Sequence, residues 1–177
     1  MRAVAPFCVA LVLSSTLLVA DDHTVLFDED VDFSVFKTFV MRDGKVTSAR
    51  PELSFPAVMK TLTGTIRGAL TARGLKPGDD TADLVVEFKA TGVDYTVGPF
   101  GRASAVNPAR AGRGRPSGVA VDFTEVTLVI DLSRGEPREL VWRGVYHDTE
   151  SDPQLLADAL PSNAATLLAQ YPPRRRK

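Results

Sequence analysis

Three segments alternate apolar and polar residues with period two, and no other feature of the chain constrains its fold as strongly. In Asp83–Val97, the residues Leu84, Val86, Phe88 and Ala90 point one way and Glu87, Lys89 and Thr91 the other. In Val119–Leu132, Val126, Leu128, Ile130 and Leu132 alternate with Thr127 and Asp131. In Glu139–Asp148, Leu140, Trp142 and Tyr146 share one face, and Arg143 and His147 the other. Period two with a single apolar face specifies antiparallel strands covered on one side. Ser133–Arg138, carrying Gly135 and Pro137, is the expected turn between the last two. Shorter β-type runs at Thr24–Phe27 and Lys37–Met41 bring the sheet to about five strands.

Two helices complete the pattern. Between Ser54 and Arg73, apolar Phe55, Val58, Met59, Leu62, Ile66, Ala69 and Leu70 recur at three- and four-residue spacing. Ser54 suits the N-cap, Pro56 the first turn, and Gly74-Leu75 a left-handed C-cap closed by a hydrophobic contact. Gly64 and Gly68 share one side of this helix, which predicts close approach of a neighbouring element. Pro153 after Asp152 starts a second helix with a stripe of Leu155, Leu156, Ala159, Ala164, Leu167 and Leu168. Pro161 is expected to kink or split it, and Pro172-Pro173 to end it. The expected fold is α+β, an antiparallel sheet of about five strands with two helices packed on one face.

Residues 1–20 read differently. A lone Arg2, an apolar run from Phe7 to Leu18 and small Ala20 before Asp21-Asp22 match a secretory signal. The run is shorter than the roughly 20 apolar residues that span a bilayer, so no transmembrane helix is expected in the mature chain. The single cysteine, Cys8, lies inside this segment and not at the cleavage position. The expected product is exported, periplasmic or extracellular, cysteine-free and without a lipid anchor, which excludes thiol catalysis and cysteine-based zinc sites. Residues 21–173 then form a single domain, followed by the basic tail 174–177.

With 44% hydrophobic and 24% charged residues and a net charge of −1 over 177 residues, the composition is that of an ordinary globular domain. That near-balance argues against a nucleic-acid binder. The average conceals a division. The start of the mature chain is acidic, whereas Gly98–Gly118 has Arg102, Arg110, Arg113 and Arg115, several glycines and prolines, and no acid. Loops beyond about 12–15 residues are usually functional or disordered. This one reads as a flexible arginine-bearing loop between two strands. Its guanidinium groups suit phosphate, carboxylate or an acidic polymer, so these four arginines are the candidate ligand-binding residues. The candidate partner is an anionic envelope component: lipid, polysaccharide or acidic protein.

The segments Asp32–Phe39 (DFSVFKTF), Ala82–Val86 (ADLVV), Thr127–Leu132 (TLVIDL), Leu140–Gly144 (LVWRG) and Tyr171–Pro173 (YPP) occur in that order. Together they resemble the bacterial envelope family catalogued as domain of unknown function 4136, over about residues 24–173. The resemblance implies a small exported α+β domain, commonly a lipoprotein, and this chain departs from that in lacking the lipidation cysteine. It implies no activity and no catalytic residue.

Other chemistry is weakly encoded. Asp28, Asp30 and Asp32 open like a calcium loop, but Phe33 and Phe39 stand where such a loop needs glycine and glutamate. A polar turn anchored by Phe33, Phe36 and Phe39 is the better reading, with no metal. His23 is expected to be frayed beside the cleavage site. His147 has no second histidine to share a metal and no serine in a nucleophile elbow. Trp142 reads as core. No cofactor is expected. The expected function is a non-catalytic binding or accessory module of the cell envelope; the alternative is an envelope hydrolase or metal-binding protein using His147 and neighbouring acids.

Overall fold

The computed structural model describes residues 22–42, 44–54, 56–97, 103–105 and 121–173. These described residues form a mixed sheet of eight strands with helices against one face. In chain order the strands are β1 (Asp22–Phe27), β2 (Thr38–Met41), β3 (Lys45–Thr47), β4 (Lys76–Pro77), β5 (Leu84–Val97), β6 (Ala103–Ala105), β7 (Val121–Arg134) and β8 (Glu139–Glu150). The helices are α1 (Pro51–Ser54), α2 (Pro56–Ala72) and α3 (Pro153–Leu168). The α+β class holds, while the expectation of a purely antiparallel sheet of about five strands is corrected.

The antiparallel core is the meander β5–β7–β8, with β1 added beyond β8. The other side of β5 differs. There β2 and β3 pair with it in parallel, at Met41↔Val86 and Val46↔Ala90, and β6 pairs antiparallel at Thr96↔Ser104. Parallel pairing follows from the connection: β2 reaches β5 only through α2, and a helical crossover returns the chain to the same end of the sheet. Alternation along a strand carries no information about the direction of its neighbour.

The inner face carries Leu84, Val86, Phe88 and Ala90 of β5, Val126, Leu128, Ile130 and Leu132 of β7, and Trp142 and Tyr146 of β8, all buried. Against it pack Leu62, Ile66 and Leu70 of α2 and Leu156, Leu160, Ala164, Leu167 and Leu168 of α3. The C-terminus of α2 closes as expected. Gly74 has φ +91°, its N–H donates to the Thr71 carbonyl at 2.9 Å, and that of Leu75 to Leu70 at 3.2 Å. These two bonds define a Schellman cap, with buried Leu70 and Leu75 meeting across it.

Four local expectations are corrected. Leu140 is 43% exposed, because the register slips between Leu132↔Trp142 and Ser133↔Leu140. That β-bulge inserts Val141 and turns Leu140 to the outer face. Leu155 is 54% exposed and lies off the stripe of α3. Helix α3 runs through Pro161 without a break. The missing N–H leaves the Ala157 carbonyl without its helical donor, while buried Leu156, Leu160, Asn163 and Ala164 hold the axis on both sides. Gly64 and Gly68 face open space; a Cβ at either would meet nothing within 4 Å.

Candidate functional site

Strands β5 and β7 pair over fourteen residues each, from Leu84↔Arg134 to Val97↔Val121. At about 3.3 Å per residue such a pair is roughly 45 Å long, against about 24 Å for a sixteen-residue helix. The hairpin therefore outruns the helical layer. Buried apolar side chains stop at Ala90 on β5 and Val126 on β7, and the remainder is an arm.

Specific contacts anchor the base of the arm. Gly92 lets the segment between β3 and α1 close on β5: a Cβ there would stand 2.6 Å from Ser48 Oγ and 2.8 Å from Leu53 Cδ1. Next, Asp94 Oδ1 accepts from Arg50 Nε at 2.8 Å and from the buried Thr124 hydroxyl at 2.8 Å. The bond to Asp94 raises the Arg50 pKa further above its ordinary value. Thr96 donates to Asp122 at 2.7 Å across the strands. On the outer face Tyr95 stacks on Phe123, rings 5.4 Å apart and 16° from parallel. Val93 and the 53%-exposed Val121 flank them. No local pattern marks this aromatic pair, because the register of 95 with 123 is set by partners distant in the chain.

The segment between β5 and β7 is the one bearing Arg102, Arg110, Arg113 and Arg115. All four lie outside the described residues, as do the signal at 1–20 and the tail at 174–177. Within that segment the described residues are Ala103–Ala105, the short strand β6 that pairs antiparallel with Tyr95–Val97 of β5.

The remaining sequence candidates are placed as follows. His147 lies on the outer face, its side chain 42% exposed, with Nδ1 3.4 Å from Thr127 Oγ1 and 3.9 Å from Glu125 Oε1. The hydroxyl is at the limit of a hydrogen bond and the carboxylate beyond it. His23 is docked, which corrects the frayed reading. Its Nε2 donates to Asn163 Oδ1 at 2.9 Å, and its ring lies 5.1 Å from that of Tyr146. Asp32 Oδ1 caps a short 3-10 turn, Phe33–Val35, accepting the Ser34 N–H at 3.0 Å. Asp28 Oδ1 accepts the Asp30 N–H at 2.9 Å. These carboxylates build a turn, and Phe33, Phe36 and Phe39 are buried beneath it. Glu139 is spent on Arg134 at 2.9 Å. Among the described residues no group of three or more histidines, cysteines or acids converges as a metal site.

Sequence reasoning missed the residues that tie the motif segments together. Asp83 Oδ2 accepts from the Lys37 N–H at 2.8 Å and from the Thr38 N–H and hydroxyl, both at 2.9 Å. These bonds, the Lys37 amide first, hold the Asp83 pKa below its ordinary value. Tyr171 packs edge-on against Phe33 at 5.8 Å and Trp142 at 6.3 Å. Its hydroxyl is buried with no hydrogen-bond partner among the described residues. Burial, with Asp83 a smaller contribution, pushes its pKa up to about 12. All five motif segments thus meet at one end of the sheet.

The model of the family described as a domain of unknown function, DUF4136, matches residues 24–173. The chain belongs to this family. A DUF4136 family protein from Bacteroides thetaiotaomicron has the same fold, with a TM-score of 0.54 at 14% identity over 86% of this chain and 96% of its own. A PDZ domain protein from Parabacteroides distasonis matches with a TM-score of 0.55 at 15% identity over 88% of this chain. This DUF4136 chain spans only 36% of that protein's length. No curated protein matches the sequence.

The orphaned Tyr171 hydroxyl sets an expected alkaline response. The folded pKa lies above the ordinary value of 10.0, so the folded state holds this proton more tightly than the unfolded state. Stability is then independent of this group below about pH 10 and falls as the pH rises from there toward 12. Tyr171→Phe removes the titration and the unpartnered hydroxyl together. The variant is expected to match or exceed the wild type by about 1 kcal/mol at pH 7 and to shift its alkaline unfolding midpoint upward. Urea melts between pH 7 and 11.5 measure both effects.

Proposed function

We propose that this DUF4136 chain is a non-catalytic binding or accessory module of the bacterial cell envelope. In this reading it is exported through residues 1–20 and presents residues 98–118 to an anionic envelope component, lipid or polysaccharide. The observation that carries the proposal is the arm. Fourteen-residue strands, between which the arginine-bearing segment lies in sequence, extend beyond the last buried apolar side chains of the core, and that extension carries the Tyr95–Phe123 stack. A hydrolase built on His147 finds less support, since among the described residues the imidazole has Thr127 alone at hydrogen-bond range and a half-exposed position on the outer sheet face.

Retention on vesicles containing anionic phosphatidylglycerol, and on purified cell-wall polymer, tests this function. Retention is expected to fall as salt rises from 50 to 500 mM, because exposed charge is screened. Each basic residue near an anionic surface contributes roughly 1 kcal/mol. Changing Arg102, Arg110, Arg113 and Arg115 together to Gln is therefore expected to weaken retention at least tenfold. Equal retention of that variant on both materials removes the role of the segment. Fractionation with N-terminal sequencing tests export, with a mature start near Asp21 as the expected result.

A further inference from the structure

Among the described residues β1 and β4 are the two edges of the sheet, and they differ. Strand β4 is two residues long and consists of Lys76 and Pro77, residue types that discourage a further strand. Strand β1 has six residues and neither lysine nor proline. The N–H of Asp28 donates to the Val141 carbonyl of β8 at 3.0 Å, one step beyond the register pair Phe27↔Trp142. In an antiparallel strand each residue turns its N–H and C=O to the same side, and successive residues alternate. Leu26 and Thr24 therefore turn their backbone groups to β8 together with Asp28. Val25 and Phe27 turn theirs outward, where no described segment pairs with them.

Apolar side chains are open to a neighbour on both faces of this edge. On the outer face Leu26, paired with Arg143, is 58% exposed. On the inner face Val25 and Phe27 pack partly buried against the rim of the core. They line a cleft of about 450 Å³ with Gln170, Pro172 and Pro173. Beyond Asp28 the chain turns away through Glu29 and Asp30, so these acids end the strand and do not lie along it.

Free backbone groups on an edge without blocking residues recruit another strand. The sequence of β1 fits itself. A two-fold axis at Leu26 sets Leu26 opposite its own copy on the outer face. Val25 then stands opposite the partner's Phe27, the two exchanging their outward N–H and C=O groups, and the cleft beside Val25 has room for that ring. The Thr24 hydroxyl faces the carboxylate of the partner's Asp28, and no like charges are opposed. Neighbouring registers fit less well. An axis at Val25 opposes Asp22 to Asp28 twice, which is destabilising, and one at Thr24 leaves Phe27 with no opposite residue in the strand. We propose that β1 pairs antiparallel with β1 of a second copy of this chain, joining two sheets edge to edge about a two-fold axis at Leu26. Such an isologous contact closes on itself as a dimer. It is independent of the arginine-bearing segment between β5 and β7.

Single cysteines test the register. Cys8 is the only cysteine of the chain, so each cysteine variant also carries Cys8→Ser and is oxidised mildly. Leu26→Cys is expected to yield a disulfide-linked dimer. The two Cα atoms at position 26 form a non-hydrogen-bonded pair about 4.5 Å apart, within disulfide range. Thr24→Cys is expected to remain unlinked, since the two Cα atoms at position 24 are then about 14 Å apart. Sedimentation of the wild-type chain is expected to show a monomer–dimer equilibrium that favours the dimer by about 200 μM, as suits an interface of modest area. Leu26→Lys sets two like charges opposite each other and is expected to weaken the dimer roughly tenfold, with an unchanged circular dichroism spectrum. Val25→Pro deletes an outward N–H, a change an edge strand tolerates, and is expected to weaken it likewise. Should that variant fail to fold, Leu26→Lys decides. Changing Arg102, Arg110, Arg113 and Arg115 together to Gln is expected to leave the dimer intact. A wild-type monomer at every concentration, cross-linking at 24 equal to that at 26, or a dimer undiminished by Leu26→Lys overturns the proposal. So does a dimer lost in the four-arginine variant, which would place the contact on the arm.

Discussion

Trp142→Ala is expected to lower the unfolding free energy by about 3–5 kcal/mol, the range for deleting a fully buried aromatic side chain. Trp142 is 0% exposed and stands where three elements meet. Its six-membered ring lies over Gly144 of its own strand, where a Cβ would come within 2.6 Å of Cη2 and 3.3 Å of Leu167 Cβ on α3. Tyr171 meets it edge-on from the segment after α3. Packing on three sides leaves little freedom to collapse into the space vacated, which places the cost toward the upper end. Trp142→Phe is expected to lose much less, since Phe fills part of the volume and removes a buried Nε1 that has no hydrogen-bond partner among the described residues. Urea melts followed by far-ultraviolet circular dichroism measure both variants, because Trp142 is the only tryptophan and its fluorescence disappears with it. A loss under 1 kcal/mol for the alanine variant contradicts the packing described here.

Asp83→Ala is expected to cost about 2 kcal/mol, from three hydrogen bonds to a charged but exposed carboxylate. The three donors are the Lys37 and Thr38 amides and the Thr38 hydroxyl, and in return Thr38 Oγ1 accepts the Asp83 N–H at 3.0 Å. The clasp joins the start of β2 to the start of β5, 45 residues apart, so its loss loosens the parallel pair. The same bonds depress the Asp83 pKa. A depressed carboxylate contributes stability that is present above the unfolded pKa and lost as the pH falls through the folded value. The wild type is therefore expected to lose stability below about pH 4, with a shallower loss in Asp83→Ala. Equal slopes in melts from pH 6 to pH 2.5 remove the clasp from the account.

The part of this fold that the sequence revealed is the part set by local period. Alternation located β5, β7 and β8 to within about two residues at each end, because one buried face imposes the pattern. Spacing located α2, and Gly74-Leu75 its cap. What escaped notice depends on partners. Strands β3, β4 and β6 hold three, two and three residues, too few for a period to show. The parallel direction of β2 was implicit in the helix that follows it, a signal carried by the connection and not by the strand. Leu140 kept its place in the alternation, but the bulge at Val141 moved it to the other face. Asp83 looked like any acid before a strand, since bonds from a side chain to distant amides leave no pattern in sequence. For the candidate site, the sequence singled out the arginine segment by composition, and the structure supplied the long β5–β7 pair whose strands flank it in the chain.

The partner of β1 has a consequence for synthesis. Residues 22–27 find their place beside residues 142–147, whereas β7 and β8 are joined by a short turn and β5 pairs with β7 across the segment that holds β6. A chain made from its N-terminus onward therefore carries β1 as an unmatched strand until most of its length exists. Pairs closer in sequence close at lower entropic cost than the β1–β8 pair, so β1 is expected to be among the last strands to join. Closure of the sheet reports that β8 has been delivered, and any segment that occupies the flank of β8 before β1 arrives competes with completion of the fold.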